Sequence, residues 1–160
     1  MNTETHASEE RKKVGMLVPP PFLLLGLVAA SVVVHTWLGW PKFSPLRASL
    51  GAAIVVASIV LIASCGKRFK AAGTPVRPTS PTTSIVSAGA YRFTRNPMYV
   101  GMAGVLAGLA VLSGSYLLGL ALVAFVVVVH YGVVLPEEKY LQALHGSAYL
   151  EYKQHVRRWL

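Results

Sequence analysis

Four stretches without a formal charge constrain the fold of this chain more than any other feature: residues 22–40, 48–65, 98–112 and 116–135. As a helix, the 19 residues of 22–40 nearly cross a hydrocarbon core of about 30 Å at about 1.5 Å per residue. The 15 residues of 98–112 are short for a crossing on their own. Composition points the same way. Charged residues make up 13% of the chain, against about 25% in an average soluble domain. Mean hydropathy is +0.53. The expected fold is a single all-α integral membrane domain of about four transmembrane helices. It divides into a polar start (1–16), two anchoring spans (17–65), a loop (66–97), a helical hairpin (98–135) and a tail of cytoplasmic helices (136–160).

Local signals set the boundaries. Pro19, Pro20 and Pro21 suit the first turn of a helix. Trp37 and Trp40 mark its far end, at headgroup depth. His35, near that interface, reads as a side chain hydrogen-bonded to a neighbour rather than a proton carrier. The small residues of 48–65 let another helix approach closely, and Gly66 is the expected stop. The single cysteine, Cys65, excludes an internal disulfide and a cysteine metal site, and no metal site is expected. Tyr91, Phe93 and four prolines, Pro75, Pro78, Pro81 and Pro97, suggest an ordered lid in the long loop. Ser113-Gly114-Ser115 is a tight turn, so the flanking spans are antiparallel. Gly104 and Gly108 read as packing positions on one face. Pro136 is expected to break the last span and start a new helix. Gly146 would end that helix and Ser147 cap the next. Tyr149, Tyr152, Val156 and Trp159 would then share one face of an amphipathic tail helix.

The net charge of +9 does not indicate nucleic acid, because the basic residues form no continuous face on a soluble domain. Thirteen of the fifteen Lys and Arg fall in the polar start, the long loop and the tail, and two, Lys42 and Arg47, in one short connection. With four crossings the first three regions share a side, which the positive-inside rule makes cytoplasmic. The start, Met1 to Lys13, is polar and no small-residue cleavage site follows, so no signal peptide is expected.

Two polar clusters stand at the edges of the apolar runs. Arg95-Asn96-Pro97-Met98-Tyr99 opens the third span, where a helix amino terminus beside an arginine suits an anion. Glu137 and Glu138 close the fourth, and the hairpin returns them to the same depth. Together they suit a nucleotide-like cofactor, with arginine for a carboxylate or phosphate and glutamate for ribose hydroxyls. The same residues have a second reading, in which Arg95 and the glutamates pair with each other. Spacing alone leaves both open.

Arg-Asn-Pro-Met-Tyr-Val-Gly at 95–101, then Glu137-Glu138, then Gly146, Tyr149, Tyr152 and Val156-Arg157-Arg158-Trp159 resemble the isoprenylcysteine carboxyl methyltransferase and phospholipid methyltransferase superfamily. The similarity covers roughly residues 72–160, and the first two spans match in hydropathy only. Asn96 stands where members acting on prenylated cysteine commonly carry histidine, so this segment is closer to the phospholipid and bacterial branches. The resemblance implies an integral membrane enzyme using S-adenosylmethionine. Its cofactor residues would be Arg95, Asn96, Pro97, Tyr99, Gly101, Glu137 and Glu138. Arg157 or Arg158, with Tyr149, would lie on the substrate side, although a basic tail near anionic lipid explains the arginines equally well. The acceptor would be a lipophilic or small molecule reached from the membrane. Two other readings remain: an NADPH-dependent enzyme similar to sterol reductases, using Arg77 and Arg92, and a membrane scaffold without activity.

Overall fold

The computed structural model describes residues 19–73 and 85–160. Expectations for the polar start, 1–16, and for Pro75, Arg77, Pro78 and Pro81 lie outside the described residues. Among the described residues six α-helices follow in chain order: α1 (Pro20–Leu38), α2 (Pro45–Ala71), α3 (Pro97–Ser113), α4 (Tyr116–Val129), α5 (Leu135–His145) and α6 (Ser147–His155). A short 3-10 helix, Gly89–Arg92, precedes α3. A π-helical turn, His130–Val134, joins α4 to α5. Among the described residues there is no strand, only an isolated parallel bridge between Thr94 and Arg157. Three helices among the described residues are long and apolar enough to cross a membrane: α1, α2 and the continuous helix Tyr116–His145. The fourth, α3, is apolar but has 17 residues. This is the expected all-α membrane architecture.

The described chain forms two compact units. One takes residues 19–62 and 98–129, the apolar helical body. Its helices are arranged for lipid rather than water. The buried residues of α1 are Pro20, Ser31 and His35, while Phe22, Leu25, Val33 and Trp37 are exposed. Ser31 satisfies itself by donating to Leu27 O at 2.8 Å. His35 does what its position suggested. Gly39 O can only accept, so His35 Nδ1–H donates to it, at 3.0 Å. Nε2 then accepts from Ser115 Oγ–H at 2.6 Å. Ser115 Oγ in turn accepts from Leu118 N–H at 3.2 Å, capping α4. One histidine therefore ties α1 to the start of α4. Between α2 and α3 the glycines set the approach. A Cβ on Gly108 would lie 2.7 Å from Val55 Cγ2, one on Gly101 would lie 2.6 Å from Ile62 Cγ1, and one on Gly104 would collide with Ser58.

The other described unit contains residues 63–73, 85–97 and 130–160. Several boundaries here differ from expectation, each for a local reason. Gly66 does not end α2, which continues to Ala71. Lys67, Arg68 and Lys70 are compatible with helix and favourable at its carboxyl end. Pro136 does not break the helix. Its ring would clash with the carbonyl four residues earlier, at Gly132, and there the backbone widens into the π-helical turn and passes on into α5. Ser147 is the first residue of α6 and makes no capping bond, because Gly146, at φ 55°, holds the cap position. The amphipathic tail helix is shorter than expected. It stops at His155, and Val156 is extended (φ −123°, ψ 131°), so Trp159 lies beyond the helix carrying Tyr149 and Tyr152.

Candidate functional site

The site is built within the second unit from three segments distant in sequence: residues 94–97, the first turn of α5, and the stretch from Lys153 to Trp159. Arg95 connects all three. Its backbone N–H donates to Arg157 O at 2.8 Å. Its Nη1 donates to Lys153 O at 3.0 Å and Val156 O at 2.9 Å, which are carbonyls left open where α6 ends. Nη2 donates to Glu138 Oε1 at 2.9 Å, and both side chains are buried, at 9% and 7% exposure. Nε is buried without a protein acceptor.

Glu138 is the anionic centre. Arg158 grips it with two bonds, Nε to Oε1 at 2.9 Å and Nη2 to Oε2 at 3.0 Å. This is the two-point geometry that suits guanidinium and carboxylate. Lys153 Nζ stands 3.9 Å from Oε2. Glu138 thus faces three cations, and with Glu137 counted the cluster still carries one cation more than carboxylates. Hydrogen bonding to Glu138 raises the pKa of Arg158 above its ordinary value. Glu137 is half-buried, and its charge acts on Tyr91 and Tyr149.

Asn96 and Thr94 secure the same extended segment. Asn96 Nδ2 donates to Arg158 O at 2.9 Å, as does Thr94 Oγ1 at 3.1 Å. Asn96 N–H donates to Thr94 Oγ1 at 3.2 Å. Pro97 then starts α3. Three of the unit's tyrosines, Tyr91, Tyr149 and Tyr152, have raised pKa values. Tyr152 OH donates to Tyr91 O at 2.7 Å, and Lys153 Nζ lies 6.0 Å from the centre of the Tyr149 ring. Burial is the largest cause raising each pKa, with Tyr152 reaching about 12. Cys65 and Glu137 add to the shift of Tyr91, and Glu138 to that of Tyr149. At neutral pH all three are phenols, able to donate a hydrogen bond.

The expected site residues divide by placement. Arg95, Asn96, Pro97, Glu137, Glu138 and Tyr149 share this unit. Tyr99 is buried in the first turn of α3. Gly101 faces α2 at Ile62, which accounts for its missing side chain. Arg157 contributes its backbone, and its side chain is exposed, whereas Arg158 reaches Glu138. The helical register assumed for this stretch fails after His155, where the backbone leaves the helix, so helical spacing does not place Arg157 or Arg158. Thr94 and the pair Trp159–His130, bonded at 3.1 Å, are not singled out by motif spacing. The sequence does hold a signal for the latter, a histidine inside an apolar run.

The family model described as phospholipid methyltransferase matches residues 46–148. This chain belongs to that family. The matched stretch includes α3, the π-helical turn and the Glu137–Glu138 pair, and it stops before Arg158. The chain is also similar to an uncharacterized protein of Haemophilus influenzae, 35% identical over 63 residues, which are 39% of this chain and 100% of that protein. No solved structure matches. Membership in a methyltransferase family, with helices long enough to span a bilayer, makes this a membrane protein of methyltransferase type.

Proposed function

We propose that the chain is an integral membrane methyltransferase that draws on S-adenosylmethionine and methylates a lipophilic or small acceptor (a carboxylate, amine or thiol) at the cytoplasmic face. The observation that carries the reading is the buried cluster of Arg95, Glu138 and Arg158, assembled across 43 residues and then a further 20 in a chain of this family. S-adenosylmethionine supplies, when bound, a methyl group activated on sulfur.

The residues present fit that cofactor. Arg95 Nε is a buried donor in need of an acceptor, and the cluster has a surplus cation. Both suit the carboxylate of the cofactor's methionyl end. Each oxygen of Glu138 already accepts from a guanidinium, so its part is to hold Arg95 and Arg158 in position. Glu137, the less buried of the two, is the member we assign to the ribose hydroxyls. Asn96 and Pro97 fix where α3 begins. Tyr149, a phenol beside these charges, is placed on the acceptor side with Arg157. The cytoplasmic orientation rests on the thirteen-to-two division of basic residues.

Equilibrium binding to the purified protein in detergent tests this reading. S-adenosylhomocysteine should bind saturably and NADPH should not. Binding of NADPH alone would favour a reductase, and binding of neither a scaffold.

A further inference from the structure

His130 opens the π-helical turn and precedes Glu138 by eight residues on one continuous helix, which is about 12 Å along the axis. It is the one polar side chain in residues 116–134 apart from Tyr116 and Tyr131. Trp159 Nε1–H donates to His130 Nδ1 at 3.1 Å. An indole nitrogen has a hydrogen to give and no lone pair to accept with, so Nδ1 must be bare and the ring hydrogen must sit on Nε2. Trp159 therefore makes the imidazole a neutral donor at Nε2. Among the described residues nothing accepts from that nitrogen. The ring is only half-buried, between the edge of Tyr131 at 4.8 Å and the tilted indole at 6.0 Å. Tyr131 itself is 67% exposed. In water such an N–H is satisfied by solvent, but within an apolar span it needs an oxygen from elsewhere. Single π-helical turns are found frequently at functional sites.

We propose that His130 binds the lipophilic acceptor, its Nε2–H donating to a phosphate or glycerol-ester oxygen of a membrane amphiphile that approaches the Glu138 cluster from the bilayer side. The assignment rests on the reading of the chain as a methyltransferase with a lipophilic acceptor. Arg158 and Trp159 are adjacent, so one short non-helical segment holds the ionic cluster with one side chain and presets the lipid contact with the next.

The test uses the full chain in detergent, titrated with dioleoyl phosphatidylglycerol and with its dialkyl ether counterpart, and followed by native mass spectrometry. His130→Asn keeps an acceptor for Trp159 at the position of Nδ1 and removes the Nε2 donor. It should weaken phosphatidylglycerol binding about two- to tenfold, the loss of one hydrogen bond. The melting temperature and the affinity for S-adenosylhomocysteine should stay at the parent's values. His130→Gln, whose amide reaches the Nε2 position, should recover part of the lipid affinity. A loss that persists with the ether lipid assigns the bond to phosphate, and one seen only with the ester lipid assigns it to the carbonyl. Parent-like binding of both lipids by His130→Asn overturns the proposal and leaves His130 as a partner for Trp159 only. Failure to bind S-adenosylhomocysteine in the parent would instead strike the methyltransferase reading, and is read separately in the same samples.

Discussion

Glu137 and Glu138 are neighbours of the same chemistry, and the structure predicts that removing their charges does different damage. Glu138→Gln leaves the volume unchanged but takes away the carboxylate between Arg95 and Arg158. Arg158 is 36% exposed and can turn to solvent, whereas Arg95, at 9%, cannot. The cost is therefore set by one buried guanidinium losing its counter-charge. Removing one partner of a buried pair costs about 3–5 kcal/mol. The amide oxygen of Gln still accepts one bond, which places this variant near the lower end, at about 3 kcal/mol. In a domain of this size that lowers Tm by about 6–12 °C. Glu137→Gln removes a half-buried charge from the first turn of α5, a dipole term of about 0.3–1 kcal/mol. If Glu137 meets the ribose hydroxyls, the same change costs about 1.5–3 kcal/mol of binding, about 10- to 150-fold in affinity. Thermal unfolding and S-adenosylhomocysteine titration in one detergent give both numbers for both variants. A Glu138→Gln protein that melts with the parent would refute the anchoring role. Parent-like binding by Glu137→Gln, below its melting transition, would remove it from the ligand.

Arg95→Lys should weaken S-adenosylhomocysteine binding at temperatures below melting, because an ammonium cannot reproduce the planar multi-point contact; an unchanged dissociation constant takes Arg95 out of the pocket. Reporter fusions after Lys13, within residues 79–84 and after Leu160 should all read cytoplasmic, and one at Ser44 the opposite face; an external signal from 79–84 breaks the four-span topology. Stability should fall as pH rises from about 10 toward 12. Tyr91, Tyr149 and Tyr152 hold their protons in the folded state, Tyr152 to about 12, while the unfolded chain releases them near the usual value of about 10. Tyr152→Phe should flatten that slope in melting scans, and an unchanged slope would discount its burial.

The apolar runs were legible because their lengths answer to a bilayer thickness, and His35 and the glycines because neighbours within a helix body leave few alternatives. The polar unit was harder to read. Pro136 suggested a break, but a proline stops a helix only if the preceding turn cannot widen, and the widening at Gly132 left no compositional mark. Trp159 was assigned by helical period to the face of Tyr152, yet the backbone turns extended at Val156, where Arg95 Nη1 takes the free carbonyls. That tertiary bond is invisible in the local sequence. The Arg95 and glutamate motifs were legible as a pair. Their mutual bonding and a ligand role are both compatible with the geometry, since Glu138 serves the first and Arg95 Nε remains for the second.

The parallel bridge from Thr94 to Arg157 also orders the protein's biosynthesis. Arg95 is made just before α3, but the carbonyls that hold it belong to residues 153–157, which the ribosome has yet to make. Some sixty residues of chain therefore separate Arg95 from the carbonyls that hold it, and the cluster is complete only when the carboxyl-terminal segment has been made. A chain truncated before residue 153 would keep every apolar helix, with Arg95 lacking the carbonyls and the Arg158 that complete its cluster. Such a chain offers membrane quality control a polar defect by which an unfinished product differs from a finished one.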